Sequence, residues 1–447
     1  QSNVQGSTDH AILYHILPGY LKTPQPEDVD IETYLKHYTP ITKDPLSANW
    51  WQNYKKYIVS LLKAWYGDAA TVANDFAYDY LPKYSGDHSH IAITEAIHKG
   101  TIKGLISPGH NTAVSGPNAN MERFGLAKLD WLLVTDLWET ETAAFWKRPE
   151  VDPSKIKTEV FLLPAEASME KEGSITNSGR WMQWRYKCCD GPSMAKTDLW
   201  ILTKLVMKLK ELYTREGGKY PDPILNLTWD YGQVPDVHKV AKEINGYDLK
   251  TGKLLPSFSQ LKDDGTTSSG NWLYCASYIE KGNMAARRDS TQTVAQANIG
   301  LYPNWSWCWP VNRRILYNRA SVNLDGDSFN SQKPVVSWHP LLKKWEGDVP
   351  DGGWVPMSQN GTKLPFIMTS EGRGHLFAPG EALKDGPMPE HYEPWESPVK
   401  NLLSRTQNDP AITIWKSDMD FKGDPSKYPI VCTTYRLSEH WQAGQMT

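Results

Sequence analysis

Three short apolar segments that alternate with helical patterns constrain the fold of this chain more than any other feature. The segments span residues 104–106, 130–136 and 158–164, and an amphipathic pattern at 91–98 precedes the first of them. Strands that alternate with helices form parallel sheets, which bind ligands at the carboxyl ends of their strands. The sequence therefore predicts an α/β fold with a parallel sheet in its core.

Other patterns predict further regular elements. We expect a helix at 139–145 from its early acidic residues, a hairpin at 172–186 around a turn at 177–179, and a long helix that starts after the N-cap residue Thr197. Further helical patterns occupy 49–66 and 235–245. All but one of these elements lie before residue 220, and regular patterns become rare beyond it.

With 447 residues the chain is long enough for two or three domains. We predict an α/β domain at 1–217 with its core at 91–187, an irregular Trp-, Pro- and Gly-rich insertion at 218–425, and the first strand and loop of another domain at 426–447. The 20 Trp and 22 Tyr fit aromatic packing that holds irregular segments together, with a sugar-binding platform as the alternative.

Composition excludes several classes of protein. A net charge of −3 with interspersed acids and bases provides no basic surface for nucleic acid. No apolar run reaches the roughly 18 residues of a membrane-spanning helix, and the first six residues show no signal-peptide pattern.

The five cysteines form no CxxC pair and are expected to be buried thiols. The two histidines within 87–90 are expected to lie in a solvated loop rather than to bind a metal.

Polar residues follow the first two predicted strands, whereas the common nucleotide and protease motifs GxGxxG, GxxxxGK[ST], HExxH and GxSxG are absent. His110, Asn111 and Ser115 follow the first strand, and Thr135 and Asp136 end the second. The Asp136 carboxylate could accept two hydrogen bonds from a guanine base, or it could cap a following helix. The residues leave both interpretations open.

Several longer motifs resemble a known family. VTDLWETETA at 134–143, EVFLLP at 159–164 and EKEGSITNSGR at 170–180 resemble the molybdopterin oxidoreductases, and RLSEHW at 436–441 with GQMT at 444–447 resembles the entry into their last domain. GNMAARRD at 282–289, WPVNRRILYNRA at 309–320 and PEHYEP at 389–394 narrow the resemblance. They are similar to the catalytic alpha subunit of respiratory formate dehydrogenases.

The resemblance implies a Rossmann-like domain that binds molybdopterin guanine dinucleotide, an insertion that packs on the cofactor domains and a partner subunit, and the start of a C-terminal β-barrel domain. It implies oxidation of formate to CO2 at molybdenum or tungsten held by two such dinucleotides. Electrons would pass to a [4Fe–4S] cluster and an iron–sulfur beta subunit in anaerobic respiratory electron transport. A periplasmic location without a membrane span of its own is also implied.

The same resemblance places the catalytic Arg, the Cys or selenocysteine metal ligand and the [4Fe–4S] ligands upstream, in the rest of the same alpha subunit. No catalytic or metal-binding residue is therefore assigned within 1–447, which is expected to be a middle segment. The cofactor-binding residues that the family motifs imply are Gln1, Gly109, His110, Asn111, Ser115, Thr135, Asp136, Thr434, Arg436, His440 and Gln445. The triplet 110–112 departs from the family pattern, which often ends in proline.

Alternatives from inside and outside the family remain open at this point. Within it, a nitrate, arsenate or polysulfide reductase is the nearest. Outside it stand an unrelated nucleotide-dependent α/β enzyme and a secreted carbohydrate-binding protein, the second suggested by the number of Trp residues.

Overall fold

The computed structural model describes residues 3–13, 15–41, 50–116, 118–149, 151–292, 294–297, 302, 304–309, 322–332, 334, 336–347, 355–359 and 424–430. The α-helices in these ranges are α1 Val4–Asp9, α2 Ile31–Tyr38, α3 Tyr54–Tyr66, α4 His90–His98, α5 Thr112–Ser115, α6 Ala119–Leu126, α7 Asp198–Glu216, α8 Pro221–Leu225, α9 Val237–Asn245 and α10 Val294–Ala297. None of the helices among the described residues is long and apolar enough to cross a membrane.

The strands are short. They are β1 Ile16–Leu17, β2 Leu21–Lys22, β3 Gly104–Pro108, β4 Trp131–Asp136, β5 Glu159–Pro164, β6 Gly173–Thr176, β7 Trp181–Arg185, β8 Tyr247–Asp248, β9 Lys253–Leu254, β10 Thr267–Ser268, β11 Tyr278–Ile279, β12 Gly282–Asn283, β13 Trp307–Cys308, β14 Val336–His339 and β15 Lys344–Gly347.

The predicted parallel sheet is present. Strands β3, β4 and β5 pair in chain order and in parallel, with Pro108 opposite Thr135 and Asp136 opposite Pro164. Helices α4 and α6 cover one face, where apolar side chains form a core that includes Ile97, Leu126, Leu132, Val134 and Phe145. The α/β class is therefore confirmed. Of the predicted barrel start at 426–447, only 426–430 lies within the described residues.

The second face of this sheet is open within the described part of the chain. Ile106, Trp131 and Phe161 are exposed there, one from each strand. Gly104 leaves room for the Trp131 indole, since a Cβ at Gly104 would lie 2.1 Å from that ring. Parallel sheets are normally covered on both faces. The exposed aromatic and aliphatic side chains thus form a surface that suits another layer of protein.

A larger, aromatic-rich core joins distant parts of the chain. The rings of Tyr57 on α3 and Trp272 stack at 4.0 Å between centroids, and Trp272 Nε1 donates a 2.8 Å hydrogen bond to the Gly19 carbonyl. Trp309 meets Trp272 edge to face, at 5.8 Å between ring centroids. Leu255, Tyr274 and Trp309 of the predicted insertion therefore share one core with residues 17–81. Val322, Val336, Trp338 and Trp345 form a separate small cluster. The domain boundaries themselves stay a prediction.

Asn245 connects three segments of this larger core. Its buried side-chain amide donates 3.0 Å hydrogen bonds to the carbonyls of Gly246 and Leu255. Its Oδ1 accepts from the backbone N–H groups of Ala276, at 2.7 Å, and Tyr278, at 3.2 Å. One side chain thus bonds four backbone groups of the interior, of which the Gly246 carbonyl also accepts a hydrogen bond from Leu255 N.

The structure confirms most of the predicted elements and corrects two expectations. The hairpin β6–β7, the helices α3, α4 and α9, and α7 with its N-cap Thr197 are as predicted. The predicted helix at 139–145 is wrong, because that segment forms a turn followed by a 3-10 helix at Phe145–Lys147. Arg148 is extended there, as expected for a residue before proline. Cys188 and Cys189 are exposed rather than buried.

We expect the substitution Asn245→Ala to lower the free energy of unfolding by about 2–3 kcal/mol, because it leaves buried backbone groups without partners. Urea unfolding followed by Trp fluorescence measures the change. The matched control is Asn226→Ala, which removes a single hydrogen bond to the Tyr80 hydroxyl and should cost less than about 1 kcal/mol. Equal losses in the two variants would contradict the role assigned to Asn245.

Candidate functional site at the carboxyl edge of the sheet

The parallel register brings together the residues that follow β3 and those that end β4. We call residues 109–116, which follow β3, the edge loop. Gly109 N donates a 2.7 Å hydrogen bond to the Thr135 carbonyl, which places the start of the loop beside the end of β4. Gly109 has a φ of 63°, which favours glycine, and the space where its Cβ would stand is open. The loop therefore presents bare backbone at the edge.

Asn111 ties the edge loop to the segment that follows β4. Its Oδ1 accepts hydrogen bonds from Thr142 N at 3.1 Å and Thr142 Oγ1 at 2.8 Å. Its Nδ2 donates to Glu141 Oε2 at 2.6 Å, and this bond lowers the pKa of the Glu141 carboxyl. Thr142 Oγ1 also accepts from Ala113 N at 3.1 Å. The Asn111 side chain thus holds two loops together, and its role as a cofactor contact stays a prediction.

His110 and Ser115 lie on the exposed side of the edge loop. Ser115 Oγ is 3.0 Å from His110 Nε2 and donates a 2.9 Å hydrogen bond to the Asn111 carbonyl. Both side chains are open to solvent and can meet a ligand at the edge. Their roles as cofactor contacts stay predictions.

Thr135 and Asp136 offer oxygen atoms with unused hydrogen-bonding capacity. Thr135 Oγ1 is buried and has no hydrogen-bond partner within the described ranges. Asp136 Oδ1 accepts from the adjacent Leu137 N at 2.7 Å. The capping interpretation of Asp136 is wrong, because the described residues 137–149 that follow β4 contain no α-helix. A carboxylate and a hydroxyl at this edge match the donors of a guanine base, whose binding here stays a prediction.

Gln1, Thr434, Arg436, His440 and Gln445 lie outside the described residues. Within the described ranges, no group of three or more His, Cys, Asp or Glu side chains could hold a metal ion. The histidine pair at 87–90 separates, since His90 begins α4 and its Nε2 lies 2.8 Å from Glu122 Oε1.

Sequence reasoning missed Glu122, a carboxylate buried behind the edge loop. It lies on α6 between the buried residues Met121 and Gly125 and is 4% exposed. Glu122 accepts a hydrogen bond from the hydroxyl of Thr112, the first residue of α5. An acidic residue on the buried face of a short helix is the signal in the sequence. The sequence gives no signal for the partner His90, because it lies 32 positions away.

An open parallel α/β sheet with a glycine turn and acceptor oxygens at its carboxyl edge is typical of domains that bind nucleotide-containing ligands. No protein-family model matches the chain. Curated proteins do match it along its length. It is 49% identical over 464 residues to formate dehydrogenase 2 subunit alpha (cytochrome c-553) of Nitratidesulfovibrio vulgaris. It is 46% identical over 466 residues to formate dehydrogenase subunit alpha of Megalodesulfovibrio gigas.

A third relative is the formate dehydrogenase-O major subunit of Escherichia coli, 41% identical over 462 residues. The three alignments cover 100%, 100% and 98% of this chain. The chain therefore belongs to the family of formate dehydrogenase alpha subunits. It spans 45% of the length of each of these three relatives.

We expect Asn111→Ala to free the edge loop from the segment after β4, because it removes the acceptor for Thr142. Hydrogen–deuterium exchange should show the Thr142 and Ala113 amides exchanging about 5–30 times faster, as loss of about 1–2 kcal/mol of local stability implies. Ser115→Ala alters the same loop without touching Thr142 and should leave both amides unchanged. Unaltered exchange in Asn111→Ala would refute the assigned role.

Proposed function

We propose that this chain forms part of a formate dehydrogenase catalytic subunit. The subunit oxidises formate to CO2 at molybdenum or tungsten held by two molybdopterin guanine dinucleotides. The observation that carries the proposal is identity of 41–49% over at least 98% of the chain to alpha and major subunits with that name. No feature of the described residues favours a nitrate, arsenate or polysulfide reductase, a carbohydrate-binding protein or an unrelated nucleotide-dependent enzyme.

The carboxyl edge of the sheet fits one guanine nucleotide of the cofactor. In this proposal Asp136 and the buried Thr135 hydroxyl accept hydrogen bonds from the base, and the bare backbone at Gly109 lets the nucleotide approach closely. Charge-assisted hydrogen bonds of this kind contribute about 1.5–3 kcal/mol each. The unpartnered Thr135 Oγ1 supports this fit, because buried hydroxyls are rarely left without a partner. The three-stranded sheet would then be part of a Rossmann-like domain.

When bound, the cofactor would supply the acceptor for the two electrons that formate loses as it becomes CO2 and a proton. The described residues of this chain serve binding and orientation. Asn111 and Thr142 hold the edge loop, and the aromatic core around Trp272 holds irregular segments of the chain together. None of the described side chains is assigned to the chemical step.

The open face of the sheet supports a larger assembly. Ile106, Trp131 and Phe161 would be covered by the rest of the same alpha subunit, as parallel sheets require. An iron–sulfur beta subunit would receive the electrons through a [4Fe–4S] cluster of the alpha subunit. A periplasmic location is part of the same proposal.

The purified intact subunit should contain about one molybdenum or tungsten atom and release guanosine monophosphate and a fluorescent oxidised pterin on acid hydrolysis. Elemental analysis and chromatography of the hydrolysate test this, and formate-dependent dye reduction tests the activity. A folded subunit with neither metal nor pterin would contradict the proposal.

Asp136→Ala should reduce nucleotide retention about tenfold or more, since loss of one charge-assisted bond removes at least about 1.5 kcal/mol. Guanosine monophosphate retained after extensive dialysis measures it. Asp130→Ala is the matched control, because Asp130 immediately precedes β4 at its opposite end. If both variants retain nucleotide equally, Asp136 does not contact the base.

A further inference from the structure

An ion pair with one buried and one half-exposed partner lies behind the edge loop. Glu122 Oε1 is 2.8 Å from His90 Nε2, and the Glu122 side chain is 3% exposed while that of His90 is 42% exposed. Removing a carboxylate from water is costly unless charged or hydrogen-bonding partners compensate it. Here His90 and the Thr112 hydroxyl are those partners. The pair therefore joins helices α4 and α6 to the first residue of α5.

The carboxylate also fits closely against the end of the loop. A Cβ on Gly116 would lie 1.6 Å from Glu122 Oε1, so the loop backbone passes directly over the acid. On the other side, a cavity of about 180 Å³ is bordered by His90, Ser107 and Glu122, together with apolar side chains of α4 and β3. The ion pair thus stands between the helices and the loop and has room to rearrange.

Few other charged groups face this pair. On α6 the neighbouring Arg123 points to the Ala113 carbonyl, to which its Nε donates a 2.8 Å hydrogen bond. From the edge loop the His110 ring lies 5.6 Å from the His90 ring. On α4, Glu95 pairs with Lys99. Among the described residues, His90 is thus the one basic side chain that forms an ion pair with Glu122.

We propose that Glu122 is a positioning residue for the nucleotide-binding edge loop, and that its pairing with His90 makes cofactor retention weaken as the pH rises above neutrality. This inference rests on the proposed function, because it concerns the loop that would bind the guanine nucleotide. Glu122 acts through Thr112 and Gly116 and touches no ligand itself.

The direction of the pH effect follows from His90. The hydrogen bond to Glu122 raises the pKa of His90 above its ordinary value, against the smaller opposing effect of burial. A histidine with a raised pKa in the folded state contributes its full stabilisation below the pKa of the unfolded state and loses it as the pH rises through the folded value. At alkaline pH the buried carboxylate faces a neutral imidazole, and the loop it holds is less firmly placed.

The intact subunit provides the test. Loss of guanosine monophosphate and pterin during dialysis is timed at about pH 6 and about pH 9 in the wild type and in Glu122→Gln, His90→Gln and Glu95→Gln. The wild type should lose cofactor about two to five times faster at the higher pH, as expected for a half-exposed ion pair. Glu122→Gln and His90→Gln should each lose cofactor at similar rates at the two pH values. Glu95→Gln, which alters the pair with Lys99 on α4, should behave as wild type.

If Glu122 had a purely structural role, Glu122→Gln would lower the melting temperature but keep the wild-type ratio of the cofactor-loss rates at the two pH values. A wild-type ratio in both Glu122→Gln and His90→Gln, or a wild type without pH dependence, overturns the inference alone. Wild-type subunit without pterin overturns the proposed function and the inference together. If Glu122→Gln does not fold, His90→Gln decides, since its half-exposed side chain tolerates replacement.

Discussion

The parallel pairing of β3 with β4 is the constraint on which the candidate site depends. Backbone hydrogen bonds along these strands place Pro108 opposite Thr135. The turn that follows β3 therefore begins beside Asp136 at the end of β4. A slip of one residue would exchange the faces of the sheet and bury the edge residues. The apolar side chains of Leu132 and Val134 prevent that slip, because they must face α4 and α6.

The edge loop is then held from three directions at once. Gly109 bonds to the end of β4, Asn111 to the segment after it, and Thr112 to Glu122 on α6. Each contact satisfies a polar group that would otherwise be buried or mobile near a ligand. A loop held this way loses little conformational freedom on binding, which is how a preorganised site gains affinity. The rigidity of the edge loop therefore comes from contacts with β4, with the segment after β4 and with α6.

Local sequence patterns predicted the elements well where they depend on a few neighbouring residues. The hairpin turn at 177–179 and the N-cap Thr197 are examples, since the side chain of Asn177 accepts from Gly179 N and that of Thr197 from Trp200 N. The segment after β4 shows the limit. Its acidic first turn favours a helix, but Asn111 accepts hydrogen bonds from the backbone and hydroxyl of Thr142, and the segment forms a turn and a short 3-10 helix. Such a competition involves residues 31 positions apart and is invisible in a local window.

The sequence by itself determined the α/β class and placed His110, Asn111, Ser115, Thr135 and Asp136 at the ends of two strands, because periodicity and turn residues act over short distances. Its longer motifs also indicated the family that the relatives show. Only the tertiary structure decided that Asn111 bridges two loops, that Asp136 caps no helix, and that Glu122 pairs with His90 behind the site. These outcomes depend on which buried groups must share hydrogen bonds once distant segments meet. Short-range sequence patterns do not indicate which distant segments will share these hydrogen bonds.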